Sequence, residues 1–347
     1  MSSKFSRGEL LSFPKQWLWF FDDQLPGWVK DRYTPRPSWK GKPFGTEDMR
    51  FFSRGVSELS GLFTDERQGT LPDYFAHPKF RSSYLLYFLP LQTAKFWVLF
   101  CQHPGALEQA LKVANKEDVL RTHDLGSGPG TASLALLFWL LATEKPIPSK
   151  IEIHLHDTNK EILKDGVEIL MMMADSFPKL RGKVKIQTHH ASWWKADLKP
   201  SEPAHLTFAG HVLNESRIRD PQSHFWDNWL ERSRGGGILW VEPALRSAAQ
   251  GLGRLRARLL EKVPPVEGSL PIWGPCLHAG VCPLMDGRDW CHHSEPVEVP
   301  GKWFAAFSKG LGSERKLVKY AYLWLAAPSH AATIATKGAR RVVSDLI

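Results

Sequence analysis

The chain has 347 residues, of which 43% are hydrophobic and 23% charged, and its formal net charge is +9. This length accommodates one large domain with a smaller one, and the composition excludes a disordered chain. The basic excess favours a polyanionic partner such as RNA, although a basic enzyme with a solvated surface has the same balance.

Residues 1–115 are aromatic, interrupted by prolines and mostly helical in their apolar spacing. The helical pattern is clearest at 53–63 and in the two halves of 83–113. The apolar stretch 84–101 contains a proline, a glutamine and a lysine, which favours buried helices over a membrane span. No small-residue cleavage site follows the aromatic run WLWFF, so no signal peptide is expected and the protein is predicted to be soluble.

From residue 118 to about 262, strand-like and helix-like segments alternate, which predicts a parallel sheet flanked by helices. The predicted strands are 119–125, 151–156, 184–188, 205–209 and 237–241, and the helices are 131–142, 159–177 and 245–262. Two late strands, 319–325 and 340–343, are expected to complete the sheet as a hairpin. The predicted organisation is a helical region (1–115), a Rossmann-like core (116–263), a Cys/His insertion (264–310) and C-terminal strands (311–347).

The stretch Asp124-Leu-Gly-Ser-Gly-Pro-Gly130 connects the first predicted strand directly to an apolar helix. Its three glycines allow a tight turn and close approach of a ligand to the backbone. The free N–H groups of the first helical turn can bind an anionic group. Thr131 stands where the dinucleotide fingerprint has Gly or Ala, which favours S-adenosylmethionine (SAM) over NAD. A glycine turn that serves strand–helix packing alone is the alternative.

Asp157 ends the second predicted strand, where a carboxylate can accept both ribose hydroxyls of an adenosyl group. It could also be a simple turn residue. Thr158 and Glu161 predict a capping box for the following helix. The predicted cofactor-binding residues are Asp124, Gly126, Ser127, Gly128, Gly130 and Asp157.

Three cysteines, Cys276, Cys282 and Cys291, lie in an irregular segment rich in Gly and Pro. Thiolates are soft ligands, so the cluster predicts zinc or an iron–sulfur cluster in a reducing compartment. The fourth ligand could be His278, His292 or His293, whereas Cys101 lies in an apolar run and is expected to be buried. A metal-free loop is the alternative.

The segment 210–216 follows the fourth strand, where class I methyltransferases hold the methyl acceptor. Its polar candidates are His211, Asn214 and Glu215, but the last two could equally cap the next helix. The segment lacks the Asn/Asp-Pro-Pro-aromatic motif of amino methylation, and no cysteine ends the fourth or fifth strand for covalent attack on cytosine. No catalytic acid or base is therefore assigned.

Several stretches together resemble the Rsm22-like family, which contains methyltransferase-like proteins of the mitochondrial ribosomal small subunit. The matching stretches are LPDYFAHPKFRSSY at 71–84, HDLGSGPGTAS at 123–133, VLNE at 212–215, LWVEP at 239–243, CLHAGVCPL at 276–284, WCH at 290–292 and KYAYLWL at 319–325. The resemblance covers roughly residues 50–345. The glycine motif is unspecific by itself, but its combination with the cysteine motifs is much more specific.

The resemblance implies a class I SAM-dependent methyltransferase fold with an inserted loop that binds [4Fe–4S] or zinc through Cys276, Cys282 and Cys291. The family's remaining cysteine comes from a later strand region, and this chain has none after Cys291. The resemblance also implies association with small-subunit rRNA during ribosome assembly or translation. The protein is expected to be a cytoplasmic monomer that binds no membrane, with the mitochondrial matrix as the alternative location.

Two functions follow. The first is an active rRNA methyltransferase, and the second is a non-catalytic assembly factor that works through its metal loop and basic surface. An NAD-dependent oxidoreductase is disfavoured by Thr131 and by the cysteine loop. Arg254 and Arg258 lie one helical turn apart, opposite an apolar face, and are candidates for RNA contact. Further basic candidates are Lys316, Lys319, Lys337, Arg340 and Arg341.

Overall fold

The computed structural model describes residues 13–65, 73–192, 203–215, 225–262, 269–276, 278–285, 287–312, 317–328 and 332–333. The helices of the N-terminal region are α1 (Leu25–Tyr33), α2 (Thr46–Asp65), α3 (Pro78–Ser83), α4 (Leu89–Gln102) and α5 (Pro104–Glu117). The later helices are α6 (Thr131–Ala142), α7 (Lys160–Asp175), α8 (Val212–Glu215), α9 (Phe225–Arg232), α10 (Arg246–Lys262) and α11 (Lys302–Gly310).

The strands are those of the predicted core together with several short late strands. They are β1 (Val119–Leu125), β2 (Lys150–Asp157), β3 (Val184–His190), β4 (Ala204–Gly210), β5 (Ser233–Glu242), β6 (Ser269–Leu270), β7 (Ile272–Gly274), β8 (His293–Glu295), β9 (Val318–Leu325) and β10 (Ala332–Thr333). All five strands predicted for the core are confirmed, as is the late strand at 319–325.

The main sheet has the strand order β3-β2-β1-β4-β5-β9-β7. Strands β1 to β5 run parallel, and β9 runs antiparallel between β5 and β7. The chain adds β2 and β3 on one side of β1 and then crosses to add β4 and β5 on the other side, so the order of strand addition reverses between β1 and β4. Ligands of such sheets bind at the carboxyl ends of the strands beside this switch point. Strands β1 to β5 form the parallel sheet that the alternating pattern predicted.

Burial along the strands follows their place in the sheet. In the central strand β4 every residue except the last is buried, because helices cover both faces of a parallel sheet. In β3, at the edge, only Val184 is buried. This edge strand therefore leaves part of one face near the surface.

The N-terminal helices pack against the sheet domain and share its core. Phe13 and Trp17 pack on Phe138 of α6, with the ring centroids of Phe13 and Phe138 4.8 Å apart, and Trp97 packs on Phe13 and Trp17. In the described residues the segment Pro78–Gln102 is the one long and apolar enough to span a membrane, but 83% of its most apolar window is buried inside the protein. The prediction of buried helices at 84–101 is confirmed.

One local prediction needs correction. The N-cap of α7 is Asn159, whose side chain accepts hydrogen bonds from the amides of Glu161 and Ile162, rather than Thr158. The predicted strand 340–343 lies outside the described residues. In the structure β7 pairs with β9, so the segment that carries the cysteines contributes a strand to the sheet.

Candidate functional site

The glycine turn lies between β1 and α6, at the carboxyl edge of the sheet. Gly126, Gly128 and Gly130 all have positive φ, at 62°, 52° and 78°, a region that residues with a Cβ rarely adopt. Gly130 also has no room for a side chain, because a Cβ there would lie 2.8 Å from Leu170 Cδ1. The predicted turn is present and requires glycine for its conformation.

Asp124 ties the end of β1 to the first turn of α6. Its Oδ2 accepts hydrogen bonds from the Ser133 amide at 3.1 Å and the Ser133 hydroxyl at 2.9 Å. Burial raises the pKa of Asp124 to about 7, because the charged carboxylate is removed from water. These bonds orient the helix N-terminus behind the turn.

Asp157 reaches the same turn from the end of β2. Its Oδ2 accepts a hydrogen bond from the Gly128 amide at 2.9 Å, and its Oδ1 accepts one from the Asn159 amide at 2.9 Å. Burial raises the pKa of Asp157, and the charge of Asp73 acts in the same direction. Each carboxylate oxygen has a second lone pair, so the group can still accept hydrogen bonds from a ligand.

Ser127 connects the turn to β2, because its amide donates to the His156 carbonyl at 2.9 Å. Gly166 of α7 was not singled out from the sequence. A Cβ at this position would lie 2.9 Å from the backbone of Pro129, so glycine lets α7 pack directly beneath the turn. Its position within an apparently ordinary helix carries no sequence signal for this contact.

The N-terminal region also contributes to the turn. A short 3₁₀ turn, Tyr74–Ala76, brings Phe75 to the glycines: a Cβ at Gly128 would be 3.5 Å from Phe75 Cζ. Asp73 accepts hydrogen bonds from the Asn159 side-chain amide at 3.2 and 3.3 Å. The stretch LPDYFAHPKF showed a family likeness, but nothing in its spacing indicated this placement.

The carboxyl ends of β4 and β5 form a second polar region. His211 has φ of 62°, and its Nε2 lies 2.9 Å from Gln92 Oε1. Burial lowers the pKa of His211, and the charge of Lys95 lowers it further. Glu242 is fully buried, and its Oε1 accepts a hydrogen bond from the Leu213 amide. The side chains of the other two predicted candidates, 214 and 215, lie outside the description.

Cys276, Cys282 and Cys291 line one cavity, together with Leu284, Met285 and Trp290. The four cysteines all belong to the described residues, and none forms a disulfide. In the described part of the chain, no three His, Cys, Asp or Glu side chains form a group that could hold a metal ion. The three cysteines thus share a cavity, but in the described residues they do not form a coordination sphere.

The histidines proposed as fourth ligand have other surroundings. His292 Nδ1 lies 3.0 Å from the Trp290 carbonyl oxygen, and His293 stacks on Tyr320 at 5.7 Å. The backbone of the loop is held instead by Arg256 of α10, which is buried and donates to the carbonyl oxygens of His278 and Gly280. Arg256 was not identified from the sequence.

The predicted basic face of α10 needs correction. Arg258 Nη2 donates to both carboxylate oxygens of Asp227 at 2.8 Å, and Lys262 Nζ lies 2.6 Å from the same carboxylate. Because Asp227 is buried, it draws Arg258 away from solvent, whereas Arg254 and Lys319 are exposed. The remaining basic candidates, 316, 337, 340 and 341, lie outside the described residues.

The strand order and the glycine turn define an α/β protein of the class I methyltransferase type. A family model described as "Mitochondrial small ribosomal subunit Rsm22" matches residues 107–346. The match covers most of the chain, and the chain belongs to this family. The resemblance seen in the sequence is thereby confirmed.

Solved structures with some similarity include several methyltransferases. The plantazolicin methyltransferase BpumL in complex with SAH has 9% identity over 81% of this chain and 98% of its own, with a TM-score of 0.36. An rRNA methylase from Streptococcus thermophilus has 11% identity over 63% and 93%, with a TM-score of 0.29. The CMeT domain of the citrinin polyketide synthase has 16% identity and a TM-score of 0.35; 57% of this chain is covered, and the chain spans about half, 49%, of that one. A comparison with curated proteins found no match.

Proposed function

We propose that this chain binds SAM at the glycine turn and acts as a methyltransferase-like protein on the RNA of the small ribosomal subunit. One observation carries the proposal: three glycines in the left-handed region open α6, and the Asp157 carboxylate of the next strand lies on their turn. This places amide donors and a carboxylate acceptor at the crevice where a doubly wound sheet binds its ligand.

When bound, SAM supplies the methyl group, and the protein's contribution is to bind it, orient the acceptor and exclude water. The first N–H groups of α6 suit the carboxylate of the methionine part, and the remaining lone pairs of Asp157 suit the ribose hydroxyls. His211 and Gln92 are the described polar groups at the end of β4, where an acceptor would enter. Burial and the charge of Lys95 lower the pKa of His211, which favours its neutral imidazole.

Calorimetric titration with SAM tests the proposal directly. Gly128→Val should abolish binding, because a branched side chain at φ 52° distorts the turn. The matched control is Gly182→Val, since Gly182 also has positive φ (74°) but has open space around it, before β3. Equal SAM affinity in wild type and a folded Gly128→Val variant would remove the site assignment. Methyl transfer from SAM onto small-subunit RNA then tests the activity.

The RNA partner is proposed from the family and from charge. The family description names the mitochondrial small ribosomal subunit, and the net charge of +9 suits a polyanion. The same description favours the mitochondrial matrix over the cytoplasm as the place of action.

A second candidate function is a non-catalytic assembly factor whose cysteine loop holds a metal. The convergence of Cys276, Cys282 and Cys291 on one cavity favours it, and so does the lack of a known acceptor motif in 210–216. The three thiols suit an iron–sulfur cluster or zinc in donor chemistry, although they do not form a coordination sphere in the structure.

Metal analysis of anaerobically purified protein tests the cysteine loop. We expect iron with broad absorbance near about 400 nm, or otherwise about one zinc per chain. Cys282→Ser should remove the metal, whereas Cys101→Ser should retain it, because Cys101 lies in α4 and burial raises its pKa to about 12. Metal-free protein with three titrating thiols in the loop would contradict the metal proposal and leave the SAM proposal intact.

A further inference from the structure

A turn of the N-terminal region is docked against the glycine turn of the sheet domain. Phe75 is buried, with 7% of its surface exposed, and its ring lies so near Gly128 that a Cβ on that glycine would be 3.5 Å from Phe75 Cζ. A glycine turn used only for strand–helix packing needs no aromatic ring brought from a distant part of the chain. The ring therefore lies against the glycine turn at the carboxyl edge of β1.

The position of Phe75 is held by a polar anchor. Arg81 Nη1 donates to the Phe75 carbonyl at 2.6 Å, and Arg81 Nε donates to the Tyr33 hydroxyl at 3.2 Å. The same arginine lies 3.7 Å from the buried Asp165 of α7, which also pairs with Arg32 at 2.6 Å. These contacts tie the turn to the helix beneath the site, so the ring has a defined position.

The segment that carries Phe75 also carries a carboxylate, Asp73. Asn159 bridges Asp73 and Asp157, because its side-chain amide donates to Asp73 and its backbone amide donates to Asp157. Among the described residues, Asp73 and Asp157 accept hydrogen bonds from amide groups, and no Lys, Arg or His pairs with either carboxylate. Asp157 bonds to the Gly128 amide and Phe75 lies against the same glycine, so a carboxylate and an aromatic ring meet at one point of the turn. This combination suits a ligand that carries positive charge.

We propose that Phe75 and Asp73 complete the cofactor site and recognise the sulfonium of SAM, so that the site prefers SAM to its neutral thioether product S-adenosylhomocysteine (SAH). The ring supplies a cation–π contact and the carboxylate a Coulomb attraction, and both are lost when the methyl group leaves. This inference rests on the proposed SAM site. Product release is favoured by the same loss of charge.

Calorimetric titration of wild type and variants with SAM and with SAH, in parallel, tests the inference. Asp73→Asn keeps the shape of the side chain and a hydrogen-bond acceptor. It should weaken the binding of SAM by about tenfold and the binding of SAH by less than about threefold. Phe75→Leu should also weaken SAM binding more than SAH binding, but by a smaller factor than Asp73→Asn. The control Glu161→Gln removes an exposed charge in the first turn of α7 and should change both affinities by less than about twofold.

The outcomes separate this inference from the proposed function. Equal weakening of SAM and SAH in Asp73→Asn and Phe75→Leu, or no weakening of either, overturns sulfonium recognition while the SAM site stands. Wild-type protein that binds SAH as tightly as SAM also overturns it. Wild-type protein that binds neither compound overturns the proposed function and this inference together. Thermal melts of each variant confirm that the fold is retained.

Discussion

At the scale of single residues, the same residue type has different roles according to what lies beneath it. Arg254 and Arg258 are equivalent by helical spacing, but Arg258 pairs with the buried Asp227 and Arg254 is exposed. An exposed arginine contributes little to stability, whereas a partner of a buried carboxylate contributes much more. Only Arg254 of this pair remains a candidate for RNA contact.

This difference gives the first prediction. Arg258→Ala should lower the free energy of unfolding by about 2–4 kcal/mol, because it leaves a buried carboxylate with one fewer partner. Arg254→Ala should change it by less than about 0.5 kcal/mol. Urea unfolding monitored by tryptophan fluorescence measures both. Equal stabilities of the two variants would contradict the importance of the Arg258–Asp227 pair.

Four histidines form a stack across β1, β2 and β3. The rings of His123 and His154 are 4.4 Å apart, those of His156 and His189 are 4.2 Å apart, and Trp229 of α9 packs on the edge of the stack. Hydrogen bonds of 2.9 and 3.0 Å join His123 to His156 and His154 to His189. Burial lowers the pKa of each ring.

The stack predicts loss of stability in acid. Burial lowers the pKa of His154 to about 4, so the unfolded chain binds the proton first, and stability falls as pH drops from about 6.5 toward 4. The free energy of unfolding of His154→Gln should therefore fall by about 1 kcal/mol less than that of wild type between pH 7 and pH 5, after allowance for solvent screening. Asp124 makes stability depend on pH in the opposite direction, because its pKa is raised. Both proteins contain Asp124, so its contribution cancels in the comparison. Urea unfolding at the two pH values checks this, and identical losses would contradict it.

At the scale of elements, the order and approximate extent of the core strands and helices follow from the sequence, and their contacts do not. The largest difference in the core is β5, which begins at Ser233 and not at the predicted residue 237. The α6 helix begins and ends where the apolar pattern predicted, because it starts directly after Gly130 and is apolar throughout. The cap of α7 was assigned one residue early, since Thr and Asn are both good N-caps and adjacent here. That Gly166 lies beneath the turn depends on how α7 crosses the sheet.

Gly166 provides the prediction at this scale. Gly166→Ala should lower the free energy of unfolding by about 1–3 kcal/mol and weaken SAM binding, because the new Cβ would lie 2.9 Å from the Pro129 backbone. Gly251→Ala is the matched control: it also lies in a helix, α10, but has open space around it, and should stabilise the protein by up to about 1 kcal/mol. Thermal unfolding with and without SAM measures both effects. A Gly166→Ala variant as stable as the control would contradict close packing of α7 on the turn.

At the scale of the whole molecule, the N-terminal helices, the sheet and the cysteine segment form one connected structure. Arg32 and Tyr33 of α1 bond to Asp165 of α7, and β7 of the cysteine segment pairs with β9. A basic surface for RNA must then be assembled from exposed side chains on different elements. Arg254 of α10 and Lys319 of β9 are the described members of the predicted set that remain exposed.

Salt dependence tests that surface. If Arg254 contacts phosphate, Arg254→Glu should weaken binding to small-subunit rRNA and reduce the salt slope by about one, because one fewer counterion is released. Lys112→Glu, an equal charge change at an exposed position of α5, is the control. Binding curves at low and moderate salt measure the slopes. Identical slopes in the two variants would assign Arg254 to solvent.

The sequence by itself determined the local chemistry: a strand, a left-handed glycine turn and an apolar helix, followed by a carboxylate at the next strand end. These features depend on backbone conformation and on apolar periodicity, which neighbouring residues specify. The tertiary structure alone decided which groups meet. Phe75 and Asp73 reach the turn from about fifty residues upstream, Asp227 pairs with Arg258, and Arg256 holds the cysteine loop. Such contacts depend on how helices pack over the sheet, which no local spacing encodes.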